Sequence, residues 1–405
     1  MSHLPVADFA TDFDHTDPAW VNDPYPIYED LRERCPVAHS DRYGGAWLPV
    51  RHEDVASIAN DHEHFTSRNV VVNEGRPGPQ APPAPIGVAP PITSDPPFHQ
   101  LARRLLLPAF SPNAINELEG FTRELCTQLL DGLGDVDHLD AAVDYAQHIP
   151  VGVIAKMLGF PPEDGDLFRE FVHIILEGVD LPFEERIASF EPLRAYFETQ
   201  ILEHQEHPRD DLTSFLLNVE LNGQRLEMRH VFGTMLLILA AGIDTTWSAI
   251  GASIWHLART EADRTRLVAE PELMPIAIEE LLRAYAPVTM ARLVKEDFDF
   301  QGHPMKKDDW VLLSFPAANR DPGVFERADE VVIDREINRH AAFGLGVHRC
   351  VGSNLARMEL RVSLECFLER FPEFHLEDET AVTWARGQVR GPRTLPLVVV
   401  APPRT

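Results

Sequence analysis

The longest nearly apolar run in this chain, VFGTMLLILAAGI at 231–243, lies inside a stretch, 227–258, whose spacing predicts one long helix. The run falls far short of the roughly 18 consecutive apolar residues that a membrane span requires. Such a helix belongs in a protein core, and the rest of the chain must supply the elements that surround it. Helical spacing recurs over 24–35, 111–133, 140–158, 162–178, 184–206, 210–220, 271–285 and 351–370. Strand-like pieces are fewer: 46–50, 289–294, the segments within 298–315, and 394–400. No internal repeat and no Gly/Ser-rich linker divides the sequence. Residues 1–405 are therefore expected to form one domain, mainly α with a small β region.

Charge narrows the function classes. Thirty-six Lys and Arg against 64 Asp and Glu leave a net charge of −28, which repels nucleic acid and anionic membrane alike. No basic stretch longer than two residues offsets this, so neither a nucleic-acid nor a membrane partner is expected. The four cysteines, Cys35, Cys126, Cys350 and Cys366, form no CxxC pair and no disulfide framework. The opening residues show neither a basic n-region nor an apolar h-region. A cytoplasmic protein with reduced thiols is expected. From 76 to 97 nine residues are proline and none from 77 to 94 is charged, which suits a stiff apolar cover over a cavity or, alternatively, a disordered insert.

The chemistry concentrates in FGLGVHRCVG, residues 343–352. A thiolate is a strong metal ligand, and the free amides of a helix N-terminus stabilise its charge. Gly344 and Gly346 permit positive φ ahead of Cys350, and Gly352 allows close approach to the backbone. A lone cysteine is more often a small buried hydrophobe, but Phe343-Gly344-x-Gly346-x-His348-x-Cys350-x-Gly352 is a far more specific pattern. Upstream, IEELLRAYAPV contains Glu280 and Arg283, three apart on one helix face and able to pair. Such pairs are common on surfaces; this one ends a helix stopped by proline. In the long helix, LAAGIDTTWSA puts Gly242, costly at about 1 kcal/mol inside a helix, just before Asp244, Thr245 and Thr246. A locally kinked core helix with satisfied hydroxyls explains that segment equally well. His99 and Arg103, at i and i+4, share a face of another helix.

Together these motifs resemble the cytochrome P450 family, and the resemblance runs from PYPIYEDLR to RGPRTLPLVV. It implies a triangular prism of helices around a buried haem b, with the Cys350 thiolate as axial iron ligand. It further implies that Phe343, Gly352 and Ala241 lie against the haem, and that His99, Arg103, Arg292 and His348 hold its propionates. Glu280, Arg283 and Arg335 form the family's structural triad, fixing the cysteine loop. Asp244 and Thr245 deliver protons to O2 where the long helix widens. Leu237, Ala240, Val288, Thr289 and Met290 line the substrate cavity, so a small-to-medium neutral hydrophobic substrate is expected, hydroxylated or O-dealkylated. Electrons come from a ferredoxin-type partner and its reductase, since no flavin or iron–sulfur motif is present. A monomer is expected. The alternatives are a peroxide-driven peroxygenase, against which the Asp244–Thr245 pair argues, and a non-catalytic haem or ligand-binding protein. One departure is KKDD at 306–309, where the family often has a Lys-Gly turn.

Overall fold

A computed structural model describes residues 4–72, 88–176, 185, 188–221 and 223–400. Its longer helices are α1 (Tyr25–Arg34), α2 (His52–Asn60), α3 (Phe98–Leu106), α4 (Pro112–Leu133), α5 (His148–Leu158) and α6 (Gly165–Leu176). There follow α7 (Glu191–Glu206), α8 (Leu212–Asn218), α9 (Met228–Arg259), α10 (Glu261–Ala269), α11 (Met274–Ala284) and α12 (Ser353–Arg370). The central element is α9. By length and composition it could cross a membrane, yet 67% of its most apolar window is buried against the rest of the chain. It packs on α5, α6 and α12, while α12 lies along α4.

Local signals explain where these helices begin and stop. Ser111 caps α4 by accepting a hydrogen bond from the Ala114 amide (3.4 Å), with Pro112 in the first turn. Gly134, at φ 70°, follows its end. The buried face of α4 (Ile115, Thr122, Cys126, Leu130) is the one the apolar spacing marks.

The β structure is small. β1 (Val37–Ser40), β2 (Ala46–Pro49), β3 (Phe65–Thr66), β5 (Thr289–Val294) and β8 (Trp310–Ser314) make one five-stranded sheet in the order β1-β2-β8-β5-β3. Trp310 faces Leu293 and Ser314 faces Thr289, which fixes β5 and its Arg292 in register. β4 (His138–Asp140), β9 (Glu373–Leu376) and β12 (Pro396–Val400) form a second sheet in the order β9-β12-β4. β6 (Phe298–Phe300) pairs with β7 (His303–Met305), and β10 (Thr383–Trp384) with β11 (Pro392–Thr394).

Three sequence expectations change. The helix expected over 140–158 is a strand, then a π-helical turn at Ala141–Ala146, then α5. The Asp140 carboxylate forces that break by accepting from the amides of Ala142 (3.0 Å), Val143 (3.1 Å) and Leu395 (2.8 Å). The stretch 298–315 divides into a separate hairpin and β8. At KKDD the turn closes with Asp308 in the left-handed region (φ 67°), while Asp309 accepts from the Lys306 amide and the Trp47 indole. The proline-rich cover falls, over 76–87, outside the described residues. Its remainder lies on α9, where the Thr234 hydroxyl donates to the Pro90 carbonyl (3.0 Å) and a Cβ on Gly233 would meet the Val88 carbonyl oxygen at 2.3 Å.

Candidate active site

The cysteine loop is shaped by two residues that need positive φ. Gly344 lies at 72° and Gly346 at 67°, and a Cβ on Gly346 would meet the Ala59 carbonyl oxygen of α2 at 2.6 Å. The turn closes with the Cys350 amide donating to the Phe343 carbonyl at 2.7 Å, and α12 starts at Ser353. Cys350 is exposed as a residue, yet burial is the leading influence on its thiol and pushes it above the ordinary range. The Gly352 amide and the guanidinium groups of Arg103, Arg349 and Arg357 act the other way, favouring the thiolate. A Cβ on Gly352 would touch Sγ and the Phe110 ring only at 3.7 Å, so that glycine is not sterically demanded here.

Four basic groups gather beside this sulfur. The rings of His99 and His348 lie 4.2 Å apart, and His348 Nε2 is 3.0 Å from the Ser67 hydroxyl. Burial, reinforced by mutual repulsion with Arg292 and Arg103, holds His99 at about 4 and His348 at about 2. The Arg292 guanidinium, lowered to about 10 by burial, bonds within the described residues only to the neighbouring Ala291 carbonyl. Arg103 is half-buried, and burial lowers it while the charge of Cys350 acts the other way. Both ring nitrogens of His99 are buried without a hydrogen-bond partner among the described residues. Concentrating so much unneutralised donor capacity in one buried place is costly unless anions complete it.

This fits a haem. Asp95 is the one carboxylate acting on both Arg292 and His99; two propionates would add the further negative charge, and the macrocycle would supply the metal donors that Cys350 cannot. Among the described residues no group of three or more His, Cys, Asp or Glu side chains could hold a bare metal ion.

The supporting network is denser than the sequence suggested. Arg283 makes a bidentate pair with Glu280 (2.8 Å twice), both fully buried, and Arg335 Nε adds a third contact at 2.9 Å. Burial alone would raise the Glu280 carboxyl; Arg283, the Val332 amide and Arg335 outweigh it and lower it. Arg283 also donates to the carbonyls of Asn319, Ala328 and Glu330, while Asn319 Oδ1 receives the Ala341 amide at 2.6 Å. That last bond joins the triad to the cysteine loop. A second clamp went unread: Glu279 accepts from Arg357 Nε (2.5 Å) and Nη2 (2.8 Å), tying α11 to α12, and Arg357 lies over the Phe343 ring at 4.4 Å.

On α9 the helix continues through Gly242 without widening. A Cβ there would meet Ile154 Cδ1 of α5 at 2.5 Å, so packing rather than a kink explains the glycine. The Thr245 hydroxyl donates to the Ala241 carbonyl at 2.7 Å, in the usual helical manner. Asp244 is 1% exposed and accepts from Arg393 Nη2 of β11 at 2.6 Å. Arg393 also reaches the Ser248 hydroxyl (3.3 Å) and lies over the Trp247 ring (4.2 Å). Sequence reasoning missed Arg393 altogether.

The candidate cavity residues divide between two elements. Leu237, Ala240 and Ala241 share a face of α9, with Ala240 buried and Leu237 half-buried. Val288, Thr289 and Met290 enter β5, where Gln388 Nε2 donates to the carbonyls of Thr289 (2.8 Å) and Val70 (3.0 Å). Gln388 is a second residue that carried no local signal.

A thiol ahead of a helix start, a buried cluster of arginine and histidine side chains and an acid–alcohol pair on the core helix fit a haem-thiolate protein. The cytochrome P450 family profile matches residues 134–385. The chain is 33% identical to mycinamicin IV hydroxylase/epoxidase of Micromonospora griseorubida, covering 92% of this chain and 94% of that protein. It is 34% identical to nocardicin C N-oxygenase of Nocardia uniformis subsp. tsuyamanensis, covering 93% and 95%. The crystal structure of CYP109E1 from Bacillus megaterium in complex with testosterone superposes with a TM-score of 0.84 at 30% identity, over 93% of this chain and 97% of that one. The chain belongs to the cytochrome P450 family, and it is a bacterial-type P450 monooxygenase that uses haem b and O2.

Proposed function

We propose that Cys350 would bind the haem iron, that His99, Arg292 and His348, with Arg103 at the margin, would hold the propionates, and that Asp244 and Thr245 would manage protons. The observation that carries this reading is the buried cluster of His99, Arg292 and His348 beside the one cysteine in a glycine-turned loop. When bound, haem supplies oxygen activation and insertion of one oxygen atom into an organic substrate. The protein's own groups then do the rest. The Gly352 amide and the guanidinium groups of Arg103, Arg349 and Arg357 favour the Cys350 thiolate against the burial that raises its thiol, and bound iron would supply the remainder. Arg393 orients the Asp244 carboxylate, which would pass protons on through a hydroxyl such as that of Thr245.

The substrate of this reading is a small-to-medium neutral hydrophobic molecule. Leu237, Ala240, Ala241, Val288 and Met290 are apolar, and Arg292, the nearby cation, is committed to haem. A relative whose crystal structure is in complex with testosterone is consistent with a neutral, largely apolar ligand. Hydroxylation and O-dealkylation share the same first C–H abstraction, and both belong to the proposal. So do electron supply by a ferredoxin and its reductase, a single haem domain over 1–405, a monomer and a cytoplasmic location.

Carbon-monoxide difference spectroscopy of the reduced protein tests the ligand assignment. The wild type should show the red-shifted band of a thiolate-ligated haem. Cys350→Ser should lose it, whereas serine at Cys35, Cys126 or Cys366 should not; a band that survives Cys350→Ser ends the assignment. Spin-state titration with neutral and anionic ligands of equal size then tests the substrate class.

A further inference from the structure

A surface cleft of about 1010 Å³ is lined by none of the cysteine-loop residues, and its walls carry four redox-capable rings, Tyr25, Trp255, Tyr285 and Trp384. They form a chain. Trp384 and Trp255 have centroids 5.2 Å apart, Trp255 and Tyr285 5.6 Å, and Tyr285 and Tyr25 6.5 Å. From Tyr25 the contacts continue inward to Tyr28 at 6.3 Å. Tyr28 is 2% exposed and packs with Ala291 and Leu293, on the strand that carries Arg292.

Two features separate Tyr285 from the other rings of the cleft. A guanidinium group lies over each of the others: Arg390 over Trp384 at 3.8 Å, Arg259 over Trp255 at 4.6 Å, Arg320 over Tyr25 at 3.8 Å. Over Tyr285 the nearest is Arg320, at 5.8 Å. A cation over a ring face opposes removal of an electron from that ring, so the covered rings are the harder ones to oxidise. Tyr285 also has a proton acceptor. Its hydroxyl lies 2.8 Å from His256 Nδ1, and His256 Nε2 lies 2.8 Å from Asp263 Oδ2. A carboxylate only accepts, so the proton of neutral His256 sits on Nε2 and the Nδ1 lone pair receives the Tyr285 hydroxyl. Burial pushes the Tyr285 phenol above its ordinary range, which favours loss of proton and electron together over prior ionisation.

We propose that Tyr285 is a one-electron redox site, a tyrosine at which oxidising equivalents travelling along this aromatic chain come to rest. An electron passes from Tyr285 to an oxidised Trp255 or Tyr25, and the phenolic O–H bond breaks as its proton moves to His256 Nδ1. The products are a neutral tyrosyl radical, an imidazolium held by Asp263, and a restored neighbouring ring. The oxidant is the equivalent left over when the oxygen chemistry of a P450 monooxygenase fails to meet its substrate. A small phenolic donor entering the cleft returns the electron, and the proton goes back from Nδ1 to the phenol oxygen.

The test does not depend on turnover. The haem-loaded protein is oxidised with photogenerated tris(bipyridine)ruthenium(III), frozen, and examined by electron paramagnetic resonance, with and without ring-deuterated tyrosine. A tyrosyl signal that narrows on deuteration is expected, lost in Tyr285→Phe and kept in Tyr25→Phe. His256→Leu should lose the neutral tyrosyl signal while leaving Tyr285 in place, and p-cresol should shorten the lifetime of the wild-type signal. A tyrosyl signal that survives Tyr285→Phe, or forms in undiminished yield in His256→Leu, overturns the proposal.

Discussion

Asp244 shows what one residue asks of a distant one. Its carboxylate is 1% exposed, and its ion pair with Arg393 is itself only 15% exposed on the arginine side. Breaking a buried pair by removing one partner leaves the other charge stranded, at a cost of about 3 kcal/mol. Arg393→Leu should therefore lower the denaturant midpoint clearly. Adding Asp244→Asn should recover part of that loss, because the two changes are coupled; strictly additive losses would mean that the pair contributes nothing as a pair. At this scale Cys350, Glu280 and Arg283 each sit in a local pattern with a fixed spacing, whereas Arg335 was implied only by the family resemblance. Arg393 was not legible, since no local pattern marks a contact made 149 residues from its partner. Glu279 was in plain view beside Glu280, but adjacency in a helix says nothing of which neighbour a side chain meets.

At the scale of elements, the cysteine loop is held by two different constraints, and they can be told apart. Gly344→Ala meets nothing closer than 3.5 Å, so it incurs only the backbone penalty for positive φ, about 1 kcal/mol. Gly346→Ala incurs the same penalty and also drives a methyl group into the Ala59 carbonyl of α2. It should cost more in thermal stability and should lower haem retention; equal effects of the two would show that α2 does not brace the loop. The clamp between α11 and α12 has a pH signature. Burial would raise the Glu279 carboxyl, but Arg357 and His340 hold it at about 2, below its usual value. Its folded value is depressed, so the clamp contributes fully above about pH 4.5 and fades as pH falls toward about 2. Full strength corresponds to about 3 kcal/mol. In denaturant melts the gap between wild type and Glu279→Gln should be widest near neutrality and start to close below about pH 4.5. Element boundaries were less legible than element types. The strand at His138–Asp140 is hidden in helical spacing, because what makes it a strand is pairing with Leu397 and Val398 near the far end of the chain.

For the whole molecule, the net charge of −28 is spread unevenly. Of five arginines near the cysteine side, Arg357 is committed to Glu279, and Arg361 to Glu119 (2.6 Å) and Glu365 (3.3 Å). Arg104 and Arg349 are exposed and make no ion pair among the described residues, and half-buried Arg103 joins them. An acidic ferredoxin approaching this side meets local positive charge within a screening length of about 8–10 Å, well inside the reach of the distant negative total. Arg104→Glu and Arg349→Glu should slow reduction by such a partner and weaken its salt dependence, without changing substrate affinity. Arg361→Glu should instead act mainly on stability. Stopped-flow reduction at several ionic strengths distinguishes the two groups, and rates indifferent to both reversals would place the partner elsewhere. The mainly helical character was readable from spacing; the sorting of these arginines was not, because it depends on which acids fold beside them.

The strand that carries Arg393 has a consequence in the order of synthesis. A ribosome makes α9 and Asp244 long before it makes β11, and the cysteine loop also precedes that strand. In a nascent chain the core helix is therefore ready to pack while its acid still lacks a counterion. Burial of that acid is disfavoured until Arg393 has emerged. The pairing of Asp244 with Arg393 therefore waits on one of the last hairpins to be translated.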